Sequence, residues 1–150
     1  MLRIVDLRDV PQYAERVTDW LFNAFGSENS RAFFASVIDA SLSESDYPVT
    51  WVALEEERLL GTVGLWRCDL ISRQDLFPWL AALYLDEAAR GRGLSEKLQQ
   101  QVLDAARARG HQQLYLYSAC ADYYGRFGWQ YLGEGLDYPD IAVRLYSKPL

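Results

Sequence analysis

Apolar and polar residues alternate from Leu2 to Leu7, which predicts a first strand. The period then lengthens. Asp9 or the Val10-Pro11 step opens a helix whose apolar face is Tyr13, Val17, Trp20, Leu21 and Ala24, and Gly26 ends it. Ser27-Glu28-Asn29-Ser30 is a polar break before a second helix from Arg31 to Ser41, and Ser43 to Pro48 is a loop. Val49–Glu55 and Leu59–Cys68 read as two strands of an antiparallel hairpin, separated by Glu56-Glu57-Arg58. Gly61 and Gly64 inside the second run predict a bulge or a close backbone contact. Asp69 to Phe77 connects to Trp79–Leu85, an apolar run with the character of a buried strand. From Leu94 to Arg109 the helical period returns, with Leu94, Leu98, Val102 and Ala105/Ala106 on one face, and Gly110 stops it. Gln113–Ser118 alternates as a strand, so a right-handed parallel crossover is expected from the preceding strand. Ala121 to Phe127 reads as a short helix. Trp129–Leu132 and Ile141–Tyr146 read as strands, with Gly133 to Asp140 as a loop between them.

This order of elements predicts an α/β (α+β) fold in one domain over residues 1–150: a mixed, mostly antiparallel sheet flanked by helices. The length suffices for a real core, and with half the residues hydrophobic and 14% aromatic, disorder is excluded. A net charge of −6 argues against general nucleic-acid binding. No apolar run reaches membrane-spanning length, and Arg3, Asp6, Arg8 and Asp9 are unlike a signal peptide. Cys68 and Cys120 lack metal-ligand spacing and are too few for a disulfide scaffold; reduced thiols in a cytoplasmic protein are expected.

The chemistry concentrates where the Trp79–Leu85 strand gives way to the third helix. Ala88 to Gly93 is a bend rich in Arg and Gly. The first amides of the helix that follows lack intrahelical partners and sit at the positive end of its dipole. Gly91 and Gly93 carry no Cβ, so an anion can approach the backbone, and Arg90 and Arg92 add positive charge. Such a loop suits phosphate or pyrophosphate. It is not a Gly-x-x-x-x-Gly-Lys-Ser/Thr nucleotide loop. Nor is it a dinucleotide fingerprint, because Glu96 stands where Gly91-Arg92-Gly93 would need its third glycine.

At these residues the chain resembles the GNAT family of N-acetyltransferases. Arg90, Gly93 and Ser95 fall on the first, fourth and sixth positions of that family's Gln/Arg-x-x-Gly-x-Gly/Ala loop, with Ser95 departing from the usual Gly or Ala. Tyr123-Tyr124-Gly125-Arg126-Phe127-Gly128-Trp129 is similar to the family's later aromatic-Tyr-x-x-x-Gly-aromatic motif. The resemblance implies acetyl-CoA as co-substrate, no metal, and a parallel strand pair splayed at the cofactor. It implies that the backbone of Leu83, Tyr84 and Leu85 pairs with pantetheine, and that the amides of Arg90, Gly91, Arg92, Gly93, Leu94 and Ser95 hold the pyrophosphate. The Arg92 side chain either reaches a phosphate or faces solvent. A backbone amide of the Trp79–Leu85 strand would stabilise the oxyanion.

The resemblance also places Tyr124 at the acid position, to protonate the departing thiolate, and leaves Tyr123 as a core aromatic. For the base that deprotonates the amine, Asp69 at a strand end and Glu28 in the interhelical break are the carboxylate candidates, with water as the alternative; His111, beside Gly110, reads as a surface residue. Trp79 is either a wall of the acceptor pocket or a core residue. Neither cysteine falls in a motif, so no acetyl-cysteine intermediate is expected. The expected activity is direct transfer of acetyl to a primary amine in a ternary complex. The partner would be a small-molecule or peptide amine, without nucleic acid or membrane, and a homodimer is allowed. The rivals are a non-catalytic acyl-CoA sensor of the same fold and a structural subunit with a collapsed ligand groove.

Overall fold

The computed structural model describes residues 1–27, 29–120 and 123–150. A seven-stranded sheet runs through the molecule in the spatial order β1-β2-β3-β4-β5-β7-β6. Its strands are β1 (Leu2–Asp6), β2 (Val49–Glu55), β3 (Arg58–Trp66), β4 (Trp79–Leu85), β5 (Gln113–Ser118), β6 (Gln130–Asp137) and β7 (Ile141–Pro149). Every neighbouring pair is antiparallel except β4 and β5. The helices are α1 (Ala14–Phe25), α2 (Arg31–Ser41) and α3 (Leu94–Ala108). The mixed, mostly antiparallel sheet with one parallel pair is the architecture that the sequence predicts.

Each face of the sheet buries one helical layer. Leu94, Leu98, Val102 and Ala106 of α3 pack on Leu60, Val63, Leu65, Leu80, Leu114 and Leu116. On the other face Val17 and Leu21 of α1 and Ile38 of α2 meet Val52, Leu54 and Leu59. This second layer stops short of β5 and β7. There the β3–β4 connection takes over, and Leu70 packs with Trp79, Val143 and Leu145. The alternation in β5 matches this arrangement: Leu114 and Leu116 face α3, while Tyr115 and Tyr117 face the connection.

The sequence-predicted boundaries hold for β2, β4 and β5, and fail for β3 and β6. The span from Gly133 to Asp140 reads as a loop, yet β6 continues to Asp137. Gly133, at φ 134°, absorbs the register shift between Tyr131 and Gly133, and Gly135 lies under the Leu145 side chain. Pairing with β7 therefore overrides local composition. β3 ends at Trp66 rather than Cys68, because Arg67 leaves the sheet to stack over the rings of Tyr47 and Phe77. The short helix after β5 is a 3-10 turn at Tyr124–Phe127, and its expected start at Ala121 lies outside the described residues.

Gly61 and Gly64 are places of close approach, as expected. A Cβ on Gly61 would lie 2.8 Å from Leu85 Cδ2, 3.1 Å from Leu98 Cδ1 and 3.1 Å from the Tyr84 carbonyl oxygen. Gly61→Val should therefore push β4 and α3 off β3 and lower the unfolding free energy by about 1–3 kcal/mol, the usual cost of overpacking. Urea denaturation measures it, and an unchanged midpoint would contradict the packing described.

Candidate active site

The site begins where β4 and β5 part. They share one register position, Trp79 opposite Tyr115, supported by a bond from the Tyr115 amide to the Pro78 carbonyl of 3.1 Å. From Leu80 to Leu85, β4 has a strand neighbour only on its β3 side. That side is itself irregular. Ala81 faces Gly64 and Tyr84 faces Thr62, so two residues of β4, Ala82 and Leu83, oppose Val63 alone. Ala82 takes the extra length at φ 55°, a conformation that residues with a Cβ rarely adopt. The result is a strand edge opened toward β5 and a bulge halfway along it. Leu83, Tyr84 and Leu85 are all half-buried along this edge. Tyr84 turns its ring to the α1 side, 5.1 Å from Trp20, while Leu83 and Leu85 pack on the α3 side.

Beyond β4 a short 3-10 turn (Glu87–Ala89) leads to the loop at the start of α3. Gly91 and Gly93 have φ of 79° and 75°, and Gly93 is the N-cap of the helix. A Cβ on either would meet nothing within 4 Å, so the space in front of the loop is open. No side chain caps the α3 N-terminus, which leaves its first amides for a ligand. The arginines are placed less directly than the sequence suggests. Arg90 Nε donates to the Leu85 carbonyl at 3.2 Å, with its guanidinium 5.7 Å from the Tyr84 ring centre. Arg92 pairs with Glu55 at 3.0 Å, the two side chains being 48% and 39% exposed. An exposed pair of this kind is worth about 0–1 kcal/mol, so a phosphate can compete for Arg92.

Ser95 has partners that the sequence did not reveal. Its Oγ accepts from the Tyr123 hydroxyl at 2.8 Å and from Gln99 Nε2 at 3.2 Å. Gln99, 2% exposed, in turn accepts from Trp129 Nε1 at 3.0 Å. Tyr123 is thus tied to α3 by a polar bond as well as being packed among aromatics.

Tyr124 opens the 3-10 turn that follows β5, half-buried. Its ring is 4.9 Å from Tyr123, 6.3 Å from Trp129 and 6.1 Å from Tyr146. Its hydroxyl makes no hydrogen bond among the described residues. Burial raises its pKa well above the ordinary value of 10.0, reinforced by Tyr123, Cys120 and Asp69, so the hydroxyl stays protonated across the physiological range.

Asp69 lies in the β3–β4 connection, within electrostatic reach of both Tyr117 and Tyr124. Part of the residue reaches the surface, yet desolvation dominates its carboxyl and, with Asp137, raises the pKa from 3.8 to about 7. Tyr117, on the same face, is raised by burial and then by Asp69 and Asp137. Asp137 arrives from the end of β6, and Ser72 Oγ bonds the adjacent Leu136 carbonyl at 2.5 Å. Tyr117 was legible in principle from its alternation with Leu116; Asp137 was hidden by the loop reading of residues 133–140.

Other candidates separate from this cluster. Trp79 does not wall an open pocket: it is fully buried with Leu70, Val143 and Leu145, and its Nε1 donates to the Leu76 carbonyl at 2.8 Å. Glu28 lies outside the described residues. His111 precedes the first residue of β5, at the end remote from Tyr124, and is half-buried rather than a free surface residue. Its Nε2 bonds the Tyr47 hydroxyl, its ring stacks edge-on to Phe77, and burial followed by Arg109 lowers its pKa. Among the described residues, no group of three or more His, Cys, Asp or Glu side chains is arranged to hold a metal.

Comparison with known proteins adds to this geometry. Among solved structures, a GNAT-family protein from Desulfovibrio desulfuricans is similar at a TM-score of 0.78 and 15% identity, covering 99% of each chain. Aminoglycoside 6'-acetyltransferase type Ii is similar at 0.74 and 17% identity, covering 99% of this chain and 96% of that one. An aminoglycoside 6'-N-acetyltransferase complexed with coenzyme A is similar at 0.73 and 13% identity, covering 98% and 96%. Identities this low establish a shared fold. No curated protein sequence matches the chain. The family model for the acetyltransferase (GNAT) family matches residues 14–129, most of the chain. With the loop at Arg90–Ser95 and the parted strands β4 and β5 inside that span, the chain belongs to the GNAT family of acetyltransferases.

Proposed function

We propose that this protein is an acetyl-CoA-dependent N-acetyltransferase that passes the acetyl group directly to a primary amine in a ternary complex. The observation that carries the proposal is the open β4 edge, followed in the chain by the α3 N-terminus that no side chain caps, with Tyr124 on the turn after the neighbouring strand β5. A pantetheine arm fits this edge as an added strand, with the backbone of Leu83 and Leu85 as its partners. The amides from Arg90 to Ser95 take the pyrophosphate. The family and its fold support acetyl transfer and acetyl-CoA binding in general; the amine acceptor and the order of steps are our reading.

The chemistry follows from the two shifted groups. An alkylammonium has a pKa near 10.4, so the acceptor must lose a proton before its nitrogen attacks the thioester carbonyl. Asp69, with a pKa of about 7, is ionised often enough at neutral pH to take that proton and basic enough to hold it. A bulge amide at Ala82–Leu83 stabilises the oxyanion. As the carbon–sulfur bond breaks, the Tyr124 hydroxyl donates to the thiolate. Its raised pKa makes it a hydrogen-bond donor first and a proton source only as charge develops on sulfur. Asp69 and Asp137 together favour a cationic acceptor.

CoA at 100 times its Kd should stabilise the fold by about 2.7 kcal/mol, a rise of roughly 5–10 °C in Tm. Gly93→Val should weaken CoA binding at least about tenfold, because the left-handed N-cap strains a β-branched residue and its side chain enters the open space before the loop. Calorimetry with equal affinity for variant and parent would remove the loop from the site.

Tyr124→Phe should lower kcat and kcat/KM together by about 10–10² fold, the low end for general acids, with CoA affinity retained. Full kcat on a good amine would assign the proton to water. Thiol release in an amine panel separates the enzyme from the sensor reading.

Asp69→Asn should abolish the rise of kcat/KM with pH near 7. It should also change stability with a defined sign. The native carboxyl binds its proton more tightly than the unfolded one, so the parent loses stability as pH rises from about 4 to about 7. The variant escapes that loss: relative to the parent it gains at pH 8, on the order of 1–3 kcal/mol, and gains nothing at pH 3. A persistent ascending limb in the variant would exclude Asp69 as the base.

A further inference from the structure

Among the described residues the Tyr124 hydroxyl has no hydrogen bond, and the Tyr124 ring packs against those of Tyr123, Trp129 and Tyr146. Two of the three rings against it, Tyr123 and Trp129, end in polar atoms bonded to one short chain on α3. The Tyr123 hydroxyl reaches Ser95 Oγ at 2.8 Å, Gln99 Nε2 reaches the same Oγ at 3.2 Å, and Trp129 Nε1 reaches Gln99 Oε1 at 3.0 Å. Ser95 and Gln99 are one helical turn apart and both are buried. Ser95 is the second residue after the Gly93 N-cap, in the turn whose amides face the loop.

We propose that Ser95, Gln99 and Tyr123 are positioning residues that fix the Tyr124 hydroxyl relative to the loop at the start of α3, so that both ends of one cofactor are registered to the same helical turn. This rests on the acetyltransferase reading above. A pyrophosphate on the α3 amides and a thioester sulfur near Tyr124 belong to a single molecule of fixed reach. The protein must therefore hold the distance between the two places it grips. The covalent path from Ser95 to Tyr124 runs through the rest of α3, β5 and the residues that follow it, whereas the polar path is one hydrogen bond to the adjacent Tyr123, braced by two more through Gln99 to Trp129. A serine hydroxyl has two acceptor sites, and here both are filled. Gly or Ala at this position would leave the Tyr123 hydroxyl and the buried Gln99 amide each without an acceptor. That gives a physical reason for serine where the family loop usually has a smaller residue.

A purely structural network would lower kcat whether or not Tyr124 has its hydroxyl; a positioning network acts only through it. The test is a double-mutant cycle. Tyr123→Phe and Ser95→Ala are each made in the parent and in the Tyr124→Phe protein. The readouts are kcat by thiol release, Kd for CoA and Tm. Tyr123→Phe keeps the ring and leaves Ser95 bonded to Gln99, so it carries the test should Ser95→Ala fail to fold. The expected result is a kcat about tenfold lower or worse in the parent background, as sub-ångström misplacement produces, with Kd for CoA unchanged within about two-fold. In the Tyr124→Phe background neither change should lower kcat further. Losses that multiply in both backgrounds, or an undiminished kcat in Tyr123→Phe, would overturn the inference while leaving the acetyltransferase reading intact. A parent that binds CoA yet releases no thiol with any amine would sink that reading, and this inference with it.

Discussion

One interrupted strand pairing governs the molecule. β4 and β5 lie side by side in the middle of a sheet and yet share a single register position. Backbone amides and carbonyls inside a protein have to find partners, and a central strand left open on one side is costly unless something completes it. The opening persists because both strands are held from behind. β4 is laced to β3 over its length, β5 is laced to β7 from Gln113 to Ser118, and α3 spans the gap on one face. The bulge at Ala82 adds a left-handed residue, a cost of order 1–3 kcal/mol that the surrounding layers must offset. Left-handed strain and an edge without a strand partner thus fall at one place on β4.

Burial acts on two of the titratable groups that the sequence singles out, Asp69 and Tyr124. It raises both pKa values, but from different starting points. Asp69 starts far below neutrality and is lifted to about 7, where a carboxylate can exchange protons. Tyr124 starts at 10.0 and is lifted away from neutrality, where it keeps its proton. One physical cause thus leaves one group able to exchange a proton near neutrality and the other protonated. The β3–β4 connection bears on both, since it carries Asp69, whose charge adds to the rise at Tyr124.

Legibility in the sequence followed from how local each determinant is. β4, β5 and the start of α3 were readable because an apolar run, a strict alternation and a glycine-rich N-terminus are all contained within a few residues. Tyr124 was readable only through a motif resemblance; nothing in its local pattern distinguishes it from Tyr123. Asp137 was missed because Gly133 and Gly135 imitate a loop, while their real reasons, a bulge and a close contact with Leu145, lie on another strand. Trp79 was ambiguous because burial depends on Leu70 and Val143, residues far from it in sequence. The partners of Ser95 belong to the same class of facts: a hydroxyl at a helix start says nothing about a tyrosine and a glutamine until the chain has folded.

The placement of the arginines bears on where affinity for an anion resides. Arg90 is engaged by a backbone carbonyl and Arg92 by Glu55, so neither guanidinium waits unpaired over the loop. Among the described residues no side chain caps the row of amides at the α3 N-terminus, which two left-handed glycines precede. An anion bound this way is held by dipoles whose direction depends on the helix, so its position is as well defined as α3 itself. α3 is in turn locked to the Tyr124 turn through Ser95 and Gln99. On the function proposed above, binding through amides rather than through long, mobile side chains gives geometric definition at the phosphate end, and the proposed role of the Ser95–Gln99–Tyr123 chain is to carry that definition to the thioester end.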